Sequence, residues 1–372
     1  MTSWLVMLYL AGADDLEPFM TRALLALELA GAPAGIEVVA QLARAPRAAV
    51  APILPERPPT EIDGDWHGTR RYRLRRRPAG EPPDHLASEL LADLGPVSPA
   101  DPAVLADFVA DATDRFPAER SLLLISGHGM GFVGITLDLT GGGAPVTMSI
   151  RSLATALRRL RRRPDILLLD ACQMNSLDVL CQFALPTPAA VALIAPASHA
   201  PRAGLDYREL LQTLAKVAAT ATQEAAAAVA GALEPAARLQ VLAFRLDADL
   251  WRAVAAAARA ADSPMYLPMY ARASEASLHP GPGQRLRLLV TWPNPVDFPE
   301  RYRYLYRRLQ FTRRAGWERL LDQASWRSAA REELKPLPVP TPLVRAWLQI
   351  LRPDLSASHA EALLVHLKST DP

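Results

Sequence analysis

The sequence has only two cysteines and lacks the marks of export or membrane insertion. Cys172 and Cys181 lie on one short stretch, too few and too close for a disulfide framework. There is no run of about 18 apolar residues that would predict a membrane span. The N-terminus has no basic leader, so we interpret it as a core strand and not as a signal peptide. These absences predict a protein of the reducing cytoplasm without membrane contact.

An excess of one charge is also missing, since 41 Lys and Arg stand against 39 Asp and Glu, a net charge of +2. The chain as a whole is therefore not a nucleic-acid binder by charge. Its Arg-rich runs at 70–77 and 158–163 have no interleaved aromatic residues, and we interpret them as a solvated face and a helix C-terminus. A GxGxxG motif is absent, as is Cys and His spacing typical of a metal site, so we expect no cofactor.

What is present is a large apolar core. Half of the 372 residues are hydrophobic, and short apolar runs alternate with amphipathic helices, which predicts an α/β fold with a mostly parallel sheet and helices on both faces. We expect core strands at 4–10, 36–41, 121–126, 166–169, 189–197 and 239–245, a short edge strand at 69–74, a helix at 86–94 and a hairpin within 131–148. We expect residues 1–262 to form the core, 263–322 to complete it with a late strand and helices, and 323–372 to be a C-terminal helical extension.

Cys172 occupies a position typical of a ligand site. It follows the apolar run Ile166–Leu169 and Asp170, where a buried strand stops, and Asn175–Ser176 can cap a helix that follows. In open α/β sheets, ligands bind at this carboxyl edge. A thiol near a helix N-terminus is expected to favour the thiolate.

His128 completes a candidate pair. It stands between Gly127 and Gly129 at the end of another apolar strand, 44 residues before Cys172. Parallel strands joined by a crossover bring their carboxyl ends together, so the imidazole and thiol can meet. A His-then-Cys order at this separation is the one described for caspases. Taken singly, each residue is more often structural, and Cys181 is interpreted as an inert buried thiol. His199 follows a different strand and is the weaker candidate for a base or ligand.

Six segments resemble, in order, the clostripain family of bacterial cysteine peptidases, which have a caspase-like fold. They are Trp4–Glu17, Ser126–Gly129, Leu168–Asn175, the segment from Ser198 to Tyr207, Leu289–Pro293 and Phe311–Trp317. The resemblance runs from residue 4 to about 322. Departures are His199-Ala200, where the family usually has an acidic or amide-bearing pair, and Leu205, where an aromatic residue is more usual.

The resemblance implies a cysteine endopeptidase that cleaves after Arg, and after Lys less well. Cys172 is then the nucleophile and His128 the proton carrier, while the backbone N–H groups of Gly129 and Cys172 hold the oxyanion. Asp170 would bind the basic side chain of the substrate, with Ser198 and Asp206 as further substrate-binding residues. From the sequence alone, Asp170 can equally well cap the neighbouring helix.

The expected partners are protein or peptide substrates with Arg at the cleavage position. The family includes calcium-dependent members, but this sequence has no EF-hand loop. Similar peptidases are often activated by a cut after a basic residue, for which Arg151 and the runs at 70–77 and 158–163 are candidates, or are held by an inhibitor or partner protein. The alternative from a different class is a catalytically silent caspase-like scaffold that binds a partner.

Overall fold

An eight-stranded sheet forms the centre of the molecule. The computed structural model describes residues 2–46, 62–141, 144–185, 187–197, 199–260, 277–278 and 337–338. The sheet strands are β1 (Trp4–Gly12), β2 (Ile36–Arg44), β3 (Gly68–Arg73), β4 (Glu89–Gly95), β5 (Arg120–Ser126), β8 (Ile166–Asp170), β9 (Ala192–Pro196) and β10 (Val241–Arg245). Their order is β10-β9-β8-β5-β1-β2-β3-β4.

The five central strands are parallel. β9, β8, β5, β1 and β2 run in one direction, while β10 at one edge and β3 and β4 at the other pair antiparallel. The prediction of a mostly parallel sheet is therefore confirmed.

Helices cover both faces of the sheet, as predicted. They are α1 (Glu17–Ala30), α2 (Pro102–Arg115), α3 (Ile150–Arg159), α4 (Leu177–Phe183), α5 (Tyr207–Lys216), α6 (Thr222–Ala237) and α7 (Ala248–Ala260). Side chains of α1, α5 and α6 pack in one core layer, and those of α2, α3, α4 and α7 in the other. In the described part of the chain, no helix has the length and apolar character that crossing a membrane requires.

The central strands supply both core layers because successive side chains point to opposite faces. In β1, Leu5 and Met7 enter one layer while Val6 and Leu8 enter the other. All nine residues of β1 are buried. A fully buried Leu contributes roughly 1.5–3 kcal/mol relative to an exposed one, so these strands form a rigid base for the loops at their ends.

A small second sheet lies beside the main one. β6 (Gly134–Asp138) and β7 (Val146–Ser149) form the antiparallel hairpin that the sequence predicted, and β11 (Leu337–Pro338) pairs with β7. The late segment of the chain thus contributes a short strand to this sheet.

The prediction for residues 86–94 was wrong. Apolar residues at 86, 90, 91 and 94 fit a helix, but β4 forms there and pairs with β3. Leu90 is half exposed at the sheet edge, so pairing with a neighbouring strand overrides the local periodicity. For the same reason β3 is not an edge strand, because β4 covers its outer side.

The Arg-rich run at 70–77 is not a simple solvated face. Arg77 is buried, and its Nη2 lies 2.8 Å from Oε2 of the buried Glu28 on α1. Arg71 is also buried, and its Nε donates to Oε1 of Gln41 at 2.8 Å. Paired in this way, the buried charges hold the chain around β3 against α1 and β2.

Several predictions fall outside the described residues. The late strand, the resemblance segments Leu289–Pro293 and Phe311–Trp317, and the helices of the proposed C-terminal extension all lie there, as do the boundaries at 262 and 322.

Candidate active site

The register of β5 and β8 places His128 and Cys172 at equivalent positions. The two strands are parallel, and their last paired residues are Ser126 and Asp170. His128 and Cys172 each follow two residues later, and the Gly127 N–H still donates to the Asp170 carbonyl at 3.4 Å. Adjacent strands are about 4.8 Å apart. Both residues line the same cavity, of about 210 Å³. The two thus stand side by side at the carboxyl edge.

Gly129 packs directly on the backbone of Cys172. A Cβ atom at Gly129 would lie 2.1 Å from the Cys172 carbonyl oxygen and 2.9 Å from its nitrogen. Only glycine allows this approach. The loop is held from its other side by the Thr136 N–H, which donates to the His128 carbonyl at 2.8 Å. The positions of the His128 and Cys172 loops are therefore coupled through their main chains.

His128 has a carboxylate partner that the sequence did not reveal. Its Nε2 lies 2.6 Å from Oδ1 of Asp15 and 4.0 Å from Oδ2 of Asp14, and all three side chains are buried. The two Asp residues precede a helix, a position where Asp often acts as an N-cap. Instead, α1 begins at Glu17 without a side-chain cap, and Asp15 turns to the His128 imidazole.

Asp14 is a buried carboxyl with one satisfied oxygen. Its Oδ1 accepts from the Leu16 N–H at 2.8 Å, whereas Oδ2 is buried without a hydrogen-bond partner among the described residues. Burial raises the pKa of Asp14, His128 lowers it and Asp15 raises it further. The raised pKa favours the neutral form of the Asp14 carboxyl, so Asp15 is the carboxylate that pairs with the imidazole.

The environment of Cys172 does not favour the thiolate, contrary to expectation. α4 begins only at Leu177 and is capped by Ser176, whose side chain accepts from the Val179 N–H. Cys172 therefore lies in the preceding turn, beyond the reach of the helix dipole. Burial raises the pKa of the Cys172 thiol to about 11, which outweighs a hydrogen bond from the Ala200 backbone. At neutral pH this raised pKa favours the neutral thiol form of Cys172.

Asp170 lines the cavity and does not cap a helix, so that alternative was wrong. Its Oδ2 accepts from the Tyr207 hydroxyl at 2.6 Å, the Leu205 N–H at 3.0 Å and the Ser126 hydroxyl at 3.4 Å. Oδ1 is buried and has no hydrogen-bond partner in the described part of the chain. Burial raises the pKa of Asp170, and the three donors lower it.

The other predicted site residues have different positions. Asp206 is the N-cap of α5, accepts from the N–H groups of Arg208 and Glu209, and is not among the residues that line the cavity. The structure therefore does not bring it into the pocket. Ser198 lies outside the described residues. His199 does line the cavity, with an exposed side chain.

Sequence reasoning missed Asp15 and Tyr207 as site residues. Asp15 meets His128 across 113 residues of chain, and local spacing carries no signal for such a contact. The acidic turn after the first strand was noted only as part of the resemblance. Tyr207 was also noted there, but its hydrogen bond to Asp170 depends on the fold.

The residues around His128 do not fit calcium. In the described ranges, Asp14, Asp15 and His128 are the one group of at least three His, Cys, Asp or Glu residues with ligand atoms within 4.8 Å of one another. Calcium takes six to eight oxygen ligands, whereas this group offers one nitrogen and two carboxylates.

Comparison with known proteins places this site in a family. A sequence model of the clostripain family matches residues 95–236, the stretch that contains His128, Gly129 and Cys172. No curated relative matches the chain.

Solved structures show the same fold. A secreted C11 cysteine protease from Bacteroides thetaiotaomicron, in complex with an irreversible peptide inhibitor, is 18% identical, covers 70% of each chain and has a TM-score of 0.52. An inactive zymogen C11 protease from Parabacteroides distasonis is 16% identical, has a TM-score of 0.50 and covers 70% of this chain and 66% of that one.

The fold and the matched stretch define the class of protein. It is a cysteine peptidase, and hence a hydrolase. More particularly, the match over residues 95–236 and the shared fold support a clostripain-like peptidase, as the resemblance of its motifs implied.

Proposed function

We propose that the protein is an endopeptidase that cleaves after Arg or Lys, with His128 and Cys172 as its catalytic dyad. The observation that carries the proposal is the β5–β8 register, which puts both residues two positions beyond one strand pair. Their shared cavity gives a substrate access to both side chains.

The Asp15 contact assigns the two nitrogens of His128. An ionised carboxylate can only accept, so Nε2 carries the proton and donates to Asp15 at 2.6 Å. Nδ1 is then the nitrogen that takes the thiol proton as Cys172 attacks, and it returns a proton to the amine leaving group. Asp15 stabilises the imidazolium formed in between, as the carboxylate does in other triads.

The close approach of Gly129 and Cys172 supports a role of their main-chain N–H groups in binding the oxyanion. The Cα of Gly129 lies close to the Cys172 nitrogen, as the 2.9 Å separation of a built Cβ indicates. Within the described chain, neither of the two N–H groups donates to a backbone oxygen. Together they form an oxyanion hole, in which one donor is worth roughly 3 kcal/mol.

Asp170 supplies the basis for the preference for a basic residue. Its buried Oδ1 lacks a donor, and a buried carboxylate without a counter-charge is costly. A guanidinium or ammonium group entering the cavity would satisfy it. Oδ2 already has three donors, so a two-point contact with both oxygens is not available. We therefore expect only a modest preference for Arg over Lys.

Two basic side chains at the solvent side of the cavity would repel a positively charged substrate side chain, which opposes the preference for Arg and Lys. His199 and Arg202 line the cavity and are exposed. Charges exposed to solvent are screened by water and salt, whereas Asp170 is 2% exposed. The buried carboxylate should therefore decide which side chain enters the pocket.

Fluorogenic peptides that differ only in the residue before the cleaved bond test the proposal. We expect turnover with Arg, somewhat less with Lys and little with Asp or Leu. Cys172→Ala should abolish turnover, whereas Cys181→Ala should keep it, because that buried thiol lies on α4 away from the cavity lining. A folded protein that cleaves none of the peptides, even after limited proteolysis, would favour the silent scaffold.

Proteolytic activation is part of the proposal, and the fold narrows the cut sites. Residues Arg70, Arg71 and Arg73 lie within β3, and Arg151, Arg158 and Arg159 lie within α3. Among the candidate cut sites, the exposed Arg residues outside regular structure are at 75–76 and 161–163. A protease needs an extended substrate, so we propose these two segments, with an inhibitor or partner protein as the alternative control. Intact mass of the wild type beside Cys172→Ala detects self-cleavage.

We also propose that the enzyme works without a metal cofactor in the reducing cytoplasm. The support is that both cysteines are free thiols. The matched Bacteroides thetaiotaomicron protease is described as secreted, so fractionation of the native host with an antibody is the direct test. Peptidase activity that is unchanged by EDTA would support the proposal that no metal cofactor is needed.

A further inference from the structure

The strongest feature that catalysis leaves unexplained is the buried Asp14 carboxyl beside the dyad, one oxygen of which has no hydrogen-bond donor among the described residues. Its Oδ2 is buried, unpartnered among the described residues and 4.0 Å from Nε2 of His128. Asp15 occupies the same nitrogen at 2.6 Å. Two carboxylates therefore converge on one imidazole nitrogen, although a hydrogen bond to His128 needs only one of them. A buried carboxyl oxygen without a hydrogen-bond donor can be satisfied by a bound cation, which would take the place of the carboxyl proton.

The donor set selects the kind of cation. One imidazole and two carboxylates suit zinc and its first-row neighbours, whereas calcium and magnesium prefer oxygen alone. Tetrahedral zinc bonds of about 2.0–2.2 Å place ligand atoms roughly 3.4 Å apart. The two distances from Nε2 to the carboxylates are 2.6 and 4.0 Å, so one would lengthen and the other shorten, each by about 0.7 Å.

We propose that Asp14, Asp15 and His128 bind a zinc-class divalent cation, and that its binding switches off the peptidase. Binding of the cation at Nε2 requires the Nε2 proton to move to Nδ1, so the neutral ring keeps its single proton on Nδ1 and holds the cation on the other nitrogen. The ring can then not accept a second proton, so Cys172 has no group to which it can pass its own. The binding half of this inference stands alone, while the inhibitory half rests on the proposed function.

Binding is tested on the Cys172→Ala protein, which removes the thiol as a competing ligand. Calorimetric titration with zinc chloride should give one ion per chain. Asp14→Asn and Asp15→Asn, each in the same background, should weaken binding about a hundredfold or more. His199→Ala is the matched control, because it removes an exposed imidazole of the same cavity, and its Kd should be unchanged. Loss of binding in the control but not in Asp14→Asn would overturn the assignment.

A cobalt spectrum of the same Cys172→Ala protein covers the case in which an Asp variant does not fold. We expect the visible bands of tetrahedral cobalt at one equivalent. Weak octahedral bands, or a spectrum that does not saturate, would overturn the site. This test requires no substitution of the three proposed ligands.

The switch is tested on the active wild type by titrating zinc during cleavage of an Arg peptide. The inhibition constant should match the Kd of the Cys172→Ala protein and rise about a hundredfold in Asp14→Asn. Saturable binding with unchanged turnover would overturn the switch but not the site. An inactive wild type that still binds one ion would count against the proposed function alone.

Discussion

Replacing Gly129 by Ala should disable the enzyme while leaving its fold in place. The new Cβ would lie 2.1 Å from the Cys172 carbonyl oxygen and 2.9 Å from its nitrogen, both main-chain atoms that cannot rotate away. Ordinary contacts are about 3.5 Å, so the loops that carry His128 and Cys172 must separate by about 1 Å. A misplacement of that size costs about a hundredfold in rate. This loss corresponds to about 2.7 kcal/mol of transition-state stabilisation.

The assay is kcat/KM on a fluorogenic Arg peptide, with a thermal melt to confirm folding. Strain from the added methyl group should cost about 1–3 kcal/mol of stability. Gly141→Ala is the matched control, since its Cβ would meet nothing within 4 Å, and we expect its kcat/KM to stay within twofold of the wild type. If a folded Gly129→Ala variant also keeps its kcat/KM within twofold of the wild type, catalysis does not depend on the close approach of the two loops.

Three further predictions concern the neighbours of the dyad. Asp15→Asn should lower kcat by about 10²–10⁴, as loss of the imidazole-orienting carboxylate does in other triads, and steady-state kinetics showing a normal kcat would remove Asp15 from the mechanism. Tyr207→Phe deletes the 2.6 Å hydrogen bond to Asp170, so we expect a change in KM for Arg peptides of about tenfold and little change in kcat; equal effects on Arg and Leu peptides would contradict a pocket role. Because burial raises the pKa of the Cys172 thiol to about 11, the thiolate is scarce at pH 7, and alkylation by iodoacetamide should still accelerate with pH above 9. A rate that levels off below pH 8 would indicate a preformed thiolate.

The strands of the fold were predictable because buried parallel strands have a simple signature. Runs such as Leu122–Ile125 and Ile166–Leu169 are apolar throughout, since both faces of the sheet are covered. The helix prediction for residues 86–94 failed because that strand is not buried on both faces. β4 is an edge strand with a half-exposed Leu90, so its apolar pattern is weak, and pairing with β3 determines its structure.

The proximity of His128 and Cys172 could be predicted, but their surroundings could not. His128 and Cys172 are placed by strand register, which apolar runs and a crossover already imply. The contact between Asp15 and His128, and that between Tyr207 and Asp170, depend on loops from distant parts of the chain. An Asp before a helix also reads as a cap in any local pattern. Asp206, predicted as a substrate-binding residue, caps α5, whereas Asp15 does not cap α1.

The central claim is that the Cys172 thiol and the His128 imidazole act together on a substrate held by a basic side chain. The most direct measurement is the intact and peptide mass of the protein after treatment with a peptidyl-arginine chloromethyl ketone at pH 7. We predict one adduct, located on Cys172, formed far more slowly in His128→Ala and suppressed by an excess of Arg peptide. An adduct on Cys181, or labelling of Cys172 at the same rate in His128→Ala, would contradict the account.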